Sequence, residues 1–401
     1  MMSESENKFP KLLYISDVAV ESTVAGSALI YRLLQNYPIG KLRIIEGNIG
    51  ESINQKNRLP NVNYEQLNVI QKRLLNSRFS SLYNAYLLLT AKQRVSQLRY
   101  LVSDFKPDAI LTVAHGFSLI TAAKLADQLQ LPLHVIIHDD WIQTVNLPQQ
   151  LQKWAVGQFA DIYRRAKSRF CISPYMVDKY EKCYGVRGTV LYPSRAADSI
   201  EFDQPAEKQQ ISGSSLIFAY AGSINSGAYA QSLILLAEVL KLLGGSLIIY
   251  SPTTIEYLQQ LGLKSNNVTV RPLVPSSKLI YTLRNEADVL FVPMSFEPEH
   301  RSNMEISFPS KLTDCTAMGL PILIWGPYYC SAVRWAKENL GVAEVVDEKD
   351  VEMLTNAVKR LFIDKEYRFN LASKALTKGR EFFSHNVAIE KFHMAIALNN
   401  Q

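Results

Sequence analysis

The segment SFEPEHRSNMEISFPSKLTDCTAMGLPILIWG, residues 295–326, decides the fold of its half of the chain. It follows the apolar run DVLFVPMS (288–295) and ends in a second apolar run, LPILIWG (320–326). Between the two runs, the sequence predicts a helix over about Pro309–Met318. The order strand, helix, strand is typical of parallel strands that helices cover on both faces.

The residues at the ends of this helix indicate a ligand site. Pro309 predicts the start, because its missing N–H would be unpaired there anyway, and Gly319 predicts the end. Lys311 falls in the first turn, where the helix dipole disfavours a cation and a bound anion would reverse that penalty. Asp314 follows one turn later, where a carboxylate can accept hydrogen bonds from a diol such as a ribose. The alternatives are a solvated lysine and an acid that stabilises the dipole.

The same alternation of strands and helices extends along the chain. Apolar runs predict strands at 11–17, 41–47, 108–116, 131–139, 168–173 and 188–193, and again at 215–223, 246–251, 267–273, 288–295, 320–326 and 342–346. A polar stretch, 194–215, separates the two series and is typical of an interdomain linker. The predicted fold class is α/β, with two Rossmann-like, doubly wound parallel-sheet domains facing an interdomain cleft. The predicted domains are 1–195 and 215–380, with a linker at 196–214 and a C-terminal helix at 381–401.

Composition is that of a globular protein with two domains. The chain has 401 residues, of which 47% are hydrophobic and 20% charged. The sequence contains no run of 18 apolar residues, so no transmembrane helix is predicted. The start MMSESENKFPK predicts a short disordered lead without the features of a secretory signal. The four cysteines lack pairing or metal-like spacing, which favours reduced thiols in the cytoplasm. A net charge of +6 suits an anionic ligand or surface, and no nucleic-acid signature occurs.

The stretch SFPSKLTDCTAMGLP (307–321) resembles a motif of retaining nucleotide-sugar glycosyltransferases with the GT-B fold, in glycosyltransferase family 4 (group 1). The resemblance covers nearly the whole chain through its two βαβ halves and is strongest across 285–326. It implies transfer of a hexosyl group from a UDP- or GDP-sugar to a hydroxyl of a glycan, lipid-linked or small-molecule acceptor, with retention of configuration. It also implies a role in polysaccharide or glycoconjugate biosynthesis. Neither a metal nor a cofactor besides the sugar donor is expected, and the C-terminal helix is expected to cross back to the first domain.

The resemblance also assigns two acids. Asp314 matches the acid that binds the ribose, although it is one methylene shorter than the usual Glu. Glu305 is the nearest match to the acid that faces the donor sugar, but eight residues separate it from Asp314 where the family has seven. Glu297 is the alternative for this second acid, so the sequence leaves the choice between Glu305 and Glu297 open.

The donor phosphates are assigned to the loop after the strand at 215–223. Gly222 and Ser223 match the family's glycine loop, but the arginine and lysine that often follow it are absent. Arg301 and Lys311 are expected to supply the missing charge, because a diphosphate needs cationic partners. The alternative is a donor site that has decayed. The remaining donor residues implied by the motif and by the base-lining segment are Leu273, Val274, Ser307, Phe308, Pro309 and Ser310.

Histidines at strand ends indicate the acceptor side. His138 ends the run LPLHVIIHDD and is expected to act in catalysis by contacting the donor sugar, as the resemblance implies, whereas His134 is expected in the core. His115 ends the run DAILTVAHG and serves either structure or the acceptor pocket. The residues expected to bind the acceptor or the sugar are Gly26, Ser27, His115 and Asp139.

A basic stretch at 68–102 carries six Lys or Arg residues among many Leu, Tyr and Phe. Such a stretch is typical of peripheral contact with an anionic membrane that holds a lipid-linked acceptor, and more commonly of a helix pair with a solvated basic face. The predicted location is therefore the cytoplasm, with the inner face of the membrane as the place of any peripheral contact.

Two further functions remain open for this fold. A nucleotide-sugar 2-epimerase would need more acids and histidines for proton abstraction. A binding protein without catalysis would fit the missing Arg/Lys pair after Gly222. A nicotinamide oxidoreductase is disfavoured, because the first half lacks the G-x-G-x-x-G fingerprint.

Overall fold

A computed structural model describes residues 9–23, 25–47, 54–67, 72–75, 77–207, 215–224, 227–274 and 276–397. By its internal contacts the chain divides into two units, Met1–Tyr192 with Ala388–Gln401 and Pro193–Val387. Most of the predicted N-terminal lead, up to residue 8, lies outside the described residues, as does the 208–214 part of the predicted linker.

The first unit is built on a parallel sheet. Its described strands are β1 (Leu12–Ser16), β2 (Leu42–Gly47), β3 (Asn63–Leu67), β4 (Ala109–Val113), β5 (Leu133–Ile137), β6 (Ser168–Cys171) and β7 (Thr189–Val190), in the order β3-β2-β1-β4-β5-β6-β7. Its helices are α1 (Ala25–Leu34), α2 (Lys72–Leu75), α3 (Ser80–Leu89), α4 (Ala91–Leu101), α5 (Ser118–Leu129), α6 (Trp141–Thr144), α7 (Gln149–Arg165) and α8 (Pro174–Tyr184). Short 3-10 turns occur at Ile39–Lys41 and Gln55–Asn57.

The second unit repeats this architecture. Its described strands are β8 (Ile217–Ala221), β9 (Ser246–Tyr250), β10 (Val268–Arg271), β11 (Val289–Pro293), β12 (Ile322–Trp325) and β13 (Glu344–Val346), in the order β10-β9-β8-β11-β12-β13. Its helices are α9 (Gly227–Leu242), α10 (Ile255–Gln260), α11 (Ser276–Glu286), α12 (Arg301–Met304), α13 (Ser310–Cys315), α14 (Ser331–Glu338), α15 (Val351–Ile363) and α16 (Lys365–Phe383), with a 3-10 turn at Pro298–His300. A final helix, α17 (His385–Ile396), ends the described chain.

The central strands explain why both sheets are parallel. Every residue of β1, β4, β5, β11 and β12 is buried, as expected for strands that helices cover on both faces. In register, Leu12 of β1 lies opposite Leu42 of β2 and Ala109 of β4. The predicted α/β class with doubly wound parallel sheets is therefore confirmed.

The edge strand β3 is absent from the sequence prediction. Its sequence NYEQL is mostly polar, and only Leu67 is buried. An edge strand that faces water carries no continuous apolar run, so hydrophobicity does not reveal it.

The helix after Pro309 is shorter than predicted. Pro309 has φ −71° and ψ 115° and therefore lies just outside α13, which ends at Cys315 and is followed by turns. The extended ψ of Pro309 explains the difference, because a residue with this ψ precedes the helix. Gly319 has φ +64°, the left-handed conformation expected after the helical segment.

The last helix packs on the sheet of the first unit. Ala388, Phe392 and Ile396 are buried in the same apolar cluster as Leu12 and Phe170. The rings of Phe170 and Phe392 lie 5.7 Å apart. This helix is therefore part of the core of the first unit.

His134 lies in that core, as predicted. It is 2% exposed in the middle of β5, and its Nδ1 has no hydrogen-bond partner in the described part of the protein. Burial, with a smaller effect of the Lys167 charge, lowers the pKa of His134 to about 4. The folded state therefore holds this ring neutral at pH values where an unfolded histidine is charged.

We expect His134→Leu to reduce the acid sensitivity of the fold. The unfolded chain binds a proton at this ring near pH 6.5 and the folded chain only near pH 4, so stability is lost as the pH falls between these values. At pH 4.5 this loss is about 2–3 kcal/mol for the wild type. Thermal melting midpoints at pH 7.5, 6.5, 5.5 and 4.5 measure it.

The pH 7.5 point is the control, because the His134 ring is then largely neutral in both the folded and the unfolded wild type, so the difference between the two melting midpoints at this pH is the baseline for the lower pH values. If the wild type and the variant lose the same stability down to pH 4.5, the assignment of a neutral buried ring is wrong.

Candidate functional site

Lys311 lies at the start of α13, beside the loop that follows β8. Its Nζ donates a hydrogen bond of 2.6 Å to the hydroxyl of Tyr220. It also lies 4.3 Å from the ring centroid of Tyr220 and 5.1 Å from that of Tyr229. The Tyr220 hydroxyl in turn donates to the carbonyl of Ser223 at 2.8 Å. This chain of bonds fixes the ammonium group at the carboxyl end of β8.

Gly222 makes room for this ammonium group. A Cβ at Gly222 would lie 3.2 Å from both Cε and Nζ of Lys311, and the residue has φ +145°. Its N–H donates to the carbonyl of Tyr250 at 2.8 Å, which ties the loop to β9. Both the space and the backbone conformation therefore favour glycine here. Two later residues of the loop, Asn225 and Ser226, lie outside the described residues.

The positive charge of Lys311 is removed from water without an acidic partner among the described residues. The residue as a whole is half-buried, but its ammonium end is enclosed by the two tyrosine rings, and this removal from water lowers its pKa to about 8. Burial also raises the pKa of Cys315, one turn along, to about 12, and the charge of Asp314 adds to this rise. No ion pair among the described residues includes Lys311. An enclosed cation of this kind is stabilised by an anion that comes within about 4–6 Å of it.

Buried polar contacts hold α13 in place. The guanidinium group of Arg195 donates to Oγ1 of Thr316 at 3.3 Å and to the carbonyl of Thr313 at 3.5 Å, and it pairs with Glu201 at 3.2 Å. A Cβ at Gly379 of α16 would overlap both Arg195 and Thr316. The chain just after the first unit is thus packed against the helix that carries Lys311, which the sequence did not reveal.

The other motif residues divide between the core and the surface. The side chain of Phe308 is buried, with its ring 5.9 Å from Trp335 and 5.5 Å from Phe383. Its expected ligand role is therefore restricted to its backbone, because the apolar ring fills the core. The hydroxyl of Ser307 bonds to Oδ1 of Asn303 at 2.5 Å. Of the remaining residues, Pro309 and Ser310 are half-buried at the start of α13, Leu273 is exposed after β10, and Val274 is half-buried there.

Both candidate sugar-facing acids have basic partners. Glu305 pairs with Arg301 at 2.8 Å, and the guanidinium group of Arg301 lies over the ring of Tyr329 at 4.6 Å. Glu297 pairs with Lys349 at 3.4 Å. Arg301, expected to compensate the diphosphate, is therefore already paired. Such solvated pairs contribute at most about 1 kcal/mol each, so a ligand can displace them.

In the first unit, Asp17 occupies the carboxyl end of β1. Its carboxylate accepts hydrogen bonds from the N–H and the hydroxyl of Ser118, both 2.7 Å, at the start of α5. A Cβ at Gly47, or at Gly116 with its φ of +55°, would overlap this carboxylate. The Trp141 indole N–H donates to the Gly116 carbonyl at 2.8 Å. Asp17 therefore lies close to the ends of three strands, β1, β2 and β4.

Of the two strand-end histidines, His115 lies near this acid, and it also affects His138. Burial lowers the pKa of His138 to about 4, with Asp139 opposing the shift and His115 adding to it. Burial also raises the pKa of Asp17, and the His115 charge opposes that rise. His138 is therefore a neutral imidazole at pH 7, able to bind a hydroxyl, whereas His115 is exposed.

Two further predicted residues lie at the start of α1. Ser27 is buried, and a Cβ at Gly26 would meet no atom within 4 Å. The glycine is thus not required by the packing of the described chain. Over the described ranges, no group of three or more His, Cys, Asp or Glu side chains is placed to hold a metal ion.

Besides Arg195, sequence reasoning missed Asp17, Tyr220 and Tyr229. Asp17 is the last residue of the predicted strand 11–17, and a polar residue at a carboxyl strand end was a usable signal. Tyr220 lies inside an apolar run, where nothing in the sequence indicates that its hydroxyl faces a lysine.

No protein-family model and no curated protein sequence matches the chain significantly. Solved structures do resemble it. A glycosyltransferase from Rickettsia africae has 14% sequence identity and a TM-score of 0.68, covering 98% of this chain and 100% of that one. Anabaena HepE, solved with UDP and glucose, has 13% identity and a TM-score of 0.65, covering 96% and 98%. Sucrose-phosphate synthase from Thermosynechococcus elongatus has 12% identity and a TM-score of 0.65, covering 96% and 97%.

These likenesses establish the fold of the chain. They extend over nearly the full length of this chain and of each compared structure, although the sequences are only 12–14% identical. The predicted GT-B fold, with two Rossmann-like α/β domains, is confirmed.

We expect Gly47→Ala to destabilise the first unit through its overlap with Asp17. The added methyl group meets the carboxylate directly, and overpacking of this kind costs about 1–3 kcal/mol. A double-mutant cycle with Asp17→Ala measures the coupling in chemical unfolding. The substitution should be at least about 1 kcal/mol less harmful once the carboxylate is removed.

Gly26→Ala is the matched control, since its Cβ meets no atom within 4 Å, and it should leave stability nearly unchanged. Equal losses from Gly47→Ala with and without Asp17 would show that the carboxylate does not occupy this position.

Proposed function

We propose that the chain is a glycosyltransferase of the hexosyl type, which moves a sugar from a UDP- or GDP-sugar to a hydroxyl acceptor with retention of configuration. The observation that carries the proposal is the enclosed ammonium group of Lys311, held beside Gly222 at the carboxyl end of β8. Parallel α/β sheets bind ligands at this end of their strands. A diphosphate is the anion that such a donor would bring there.

The proposed chemistry begins at the leaving group. As the bond between the sugar and the diphosphate breaks, negative charge grows on the phosphate oxygen, and Lys311 stabilises it. The acceptor hydroxyl attacks from the same face and passes its proton to that oxygen, so no protein nucleophile is required. Asp314 binds the ribose hydroxyls of the donor.

The proposal assigns the sugar hydroxyls to His138 and to Glu305 or Glu297. A neutral His138 can donate one hydrogen bond and accept another. Either acid becomes available when the sugar displaces its surface partner, Arg301 or Lys349. Released from Glu305, Arg301 can turn to the diphosphate.

The choice of nucleotide is supported by the fold neighbours. Anabaena HepE was solved with UDP and glucose, which favours UDP as the first donor to test. The proposal includes transfer without a metal, a role in polysaccharide or glycoconjugate biosynthesis, and peripheral contact of the 68–102 region with the inner face of the cytoplasmic membrane. The described helices include none that is both long enough and apolar enough to span a bilayer.

We expect UDP or UDP-glucose to bind and to raise the thermal midpoint, and Lys311→Met to weaken this binding about ten- to hundredfold. The reason is the loss of a charge-assisted hydrogen bond to a phosphate oxygen. Asp314→Asn should weaken it less, because the amide still offers one acceptor oxygen. Calorimetric titration with UDP, GDP and ADP measures these affinities.

Lys241→Met is the control, since Lys241 is an exposed lysine of the same unit at the end of α9. If no nucleotide or nucleotide sugar binds, the transferase proposal fails in favour of a binding protein. If donor sugar is epimerised without an acceptor, it fails in favour of an epimerase.

A further inference from the structure

Helix α3 exposes an apolar stripe to solvent. The stripe starts at the residue before the helix and recurs with spacings of three, four and three residues, which places its members within an arc of roughly 80°. The exposed fractions are 49% for Phe79, 60% for Leu82, 55% for Tyr86 and 58% for Leu89. Other residues of the same helix, Ala85, Leu87 and Leu88, are buried. The helix therefore packs one apolar face and leaves a second one open.

The sequence around the stripe carries basic residues and no acids. From Gln66 to Ser103 the chain contains no Asp or Glu, but six Lys or Arg. Three of these, Arg78, Lys92 and Arg99, are exposed in the structure. The side chains of Lys72 and Arg73 lie outside the described residues.

The fourth described base, Arg94, has a structural role. Its guanidinium group is buried and bonds to Oγ1 of Thr121 at 3.1 Å, to Oγ1 of Thr90 at 2.9 Å and to the carbonyl of Leu87. It thereby ties the end of α3 to α4 and α5. The open stripe is thus held by buried contacts, while Arg78, Lys92 and Arg99 are exposed, with Arg78 lying over the ring of Phe79 at 4.9 Å.

We infer that this stripe, Phe79, Leu82, Tyr86 and Leu89, is a membrane-docking surface that inserts into the headgroup region of a bilayer rich in anionic phospholipid. An interfacial helix needs an apolar face, aromatic rings at headgroup level and basic side chains beside them. Helix α3 with Phe79 supplies the apolar face and the rings, and the exposed bases Arg78 and Lys92 precede and follow it along the chain. The rings of Tyr83 and Tyr86 stack at 6.1 Å, which stiffens the exposed face.

Charge complementarity selects the lipid. A run of 38 residues without an acid has no group that anionic headgroups would repel, and the apolar stripe with its aromatic rings suits the acyl boundary beneath those headgroups. Each exposed Lys or Arg near an anionic surface strengthens binding by about fivefold. The inference deepens the membrane contact included in the proposed function, and it would bring the protein to a hydroxyl acceptor anchored in lipid.

The test is sedimentation of the full chain with vesicles. The probes are vesicles of pure phosphatidylcholine and vesicles in which a third of the lipid is phosphatidylglycerol. We expect binding to the anionic vesicles that weakens as salt rises, and at least about tenfold less binding to the neutral ones. Leu82→Ser with Leu89→Ser should reduce anionic binding about tenfold or more. Arg78→Gln with Lys92→Gln and Arg99→Gln should remove most of the salt dependence.

Lys241→Gln with Leu242→Ser is the matched control, because these neighbours at the end of α9 are an exposed base and an 83% exposed leucine in the second unit. This control should bind as the wild type does, and melting midpoints should show that all variants are folded.

Three outcomes would overturn the inference. These are no binding to anionic vesicles, unchanged binding by the stripe variant, and a dimer that light scattering shows to be lost in the stripe variant. The assay needs no nucleotide, so vesicle binding by a chain that binds no nucleotide would overturn the proposed function alone.

Discussion

The enclosed ammonium group of Lys311 is the constraint around which the second unit is arranged. Removing an ammonium ion from water is costly, and tyrosine rings with one hydroxyl repay only part of that cost. A pKa near 8 is the sign of this incomplete compensation. A methionine of similar length would fill the same space without the penalty. Packing of the second unit alone therefore does not explain why a charged residue stands at this position.

Several features of the second unit are needed to keep this ammonium group in place. Tyr220 holds it from β8, and Gly222 leaves the room that any side chain would take. Arg195 donates a hydrogen bond to Thr316 at the end of α13, the helix that carries Lys311, and Gly379 lets α16 approach that arginine. These contacts are buried and directional, so they fix the lysine rather than merely cover it.

The first unit also encloses an ionisable group at the carboxyl end of a parallel strand, but there the group is an acid. In a parallel sheet the loops after the strands gather at one edge, so residues distant in sequence meet there. Asp17 meets Ser118 in this way. Its carboxylate fills the space that side chains at Gly47 and Gly116 would take. His138, at the end of β5, is kept neutral by burial near the same edge.

The sequence predicts most of the fold because its strands are fully buried. Continuous apolar runs identify both parallel series, and the left-handed Gly319 follows from its position after the predicted helix. The polar edge strand β3 is invisible to that signal. Of the candidate site, the motif indicates Lys311 and Gly222, which do lie together. It cannot indicate that Phe308 turns its ring into the core, because a motif does not distinguish a backbone contact from a side-chain contact.

Partners of these residues escape prediction for a related reason. Tyr220 and Arg195 lie 91 and 116 residues before Lys311 along the chain, a separation that only the folded topology bridges. Arg195 falls at the edge of a segment whose polarity suggests a solvated linker. Its burial depends on the hydrogen-bond acceptors that α13 offers to it.

The most direct test of the account is an NMR titration of the Lys311 side chain, with ¹³C-labelled lysine and the signal assigned through Lys311→Met, in the free protein and with UDP. The account predicts a pKa of about 8 in the free protein, and a rise of at least about one unit with UDP, because a bound anion favours the charged form. A pKa near the ordinary lysine value of about 10.4, unchanged by UDP, would contradict it.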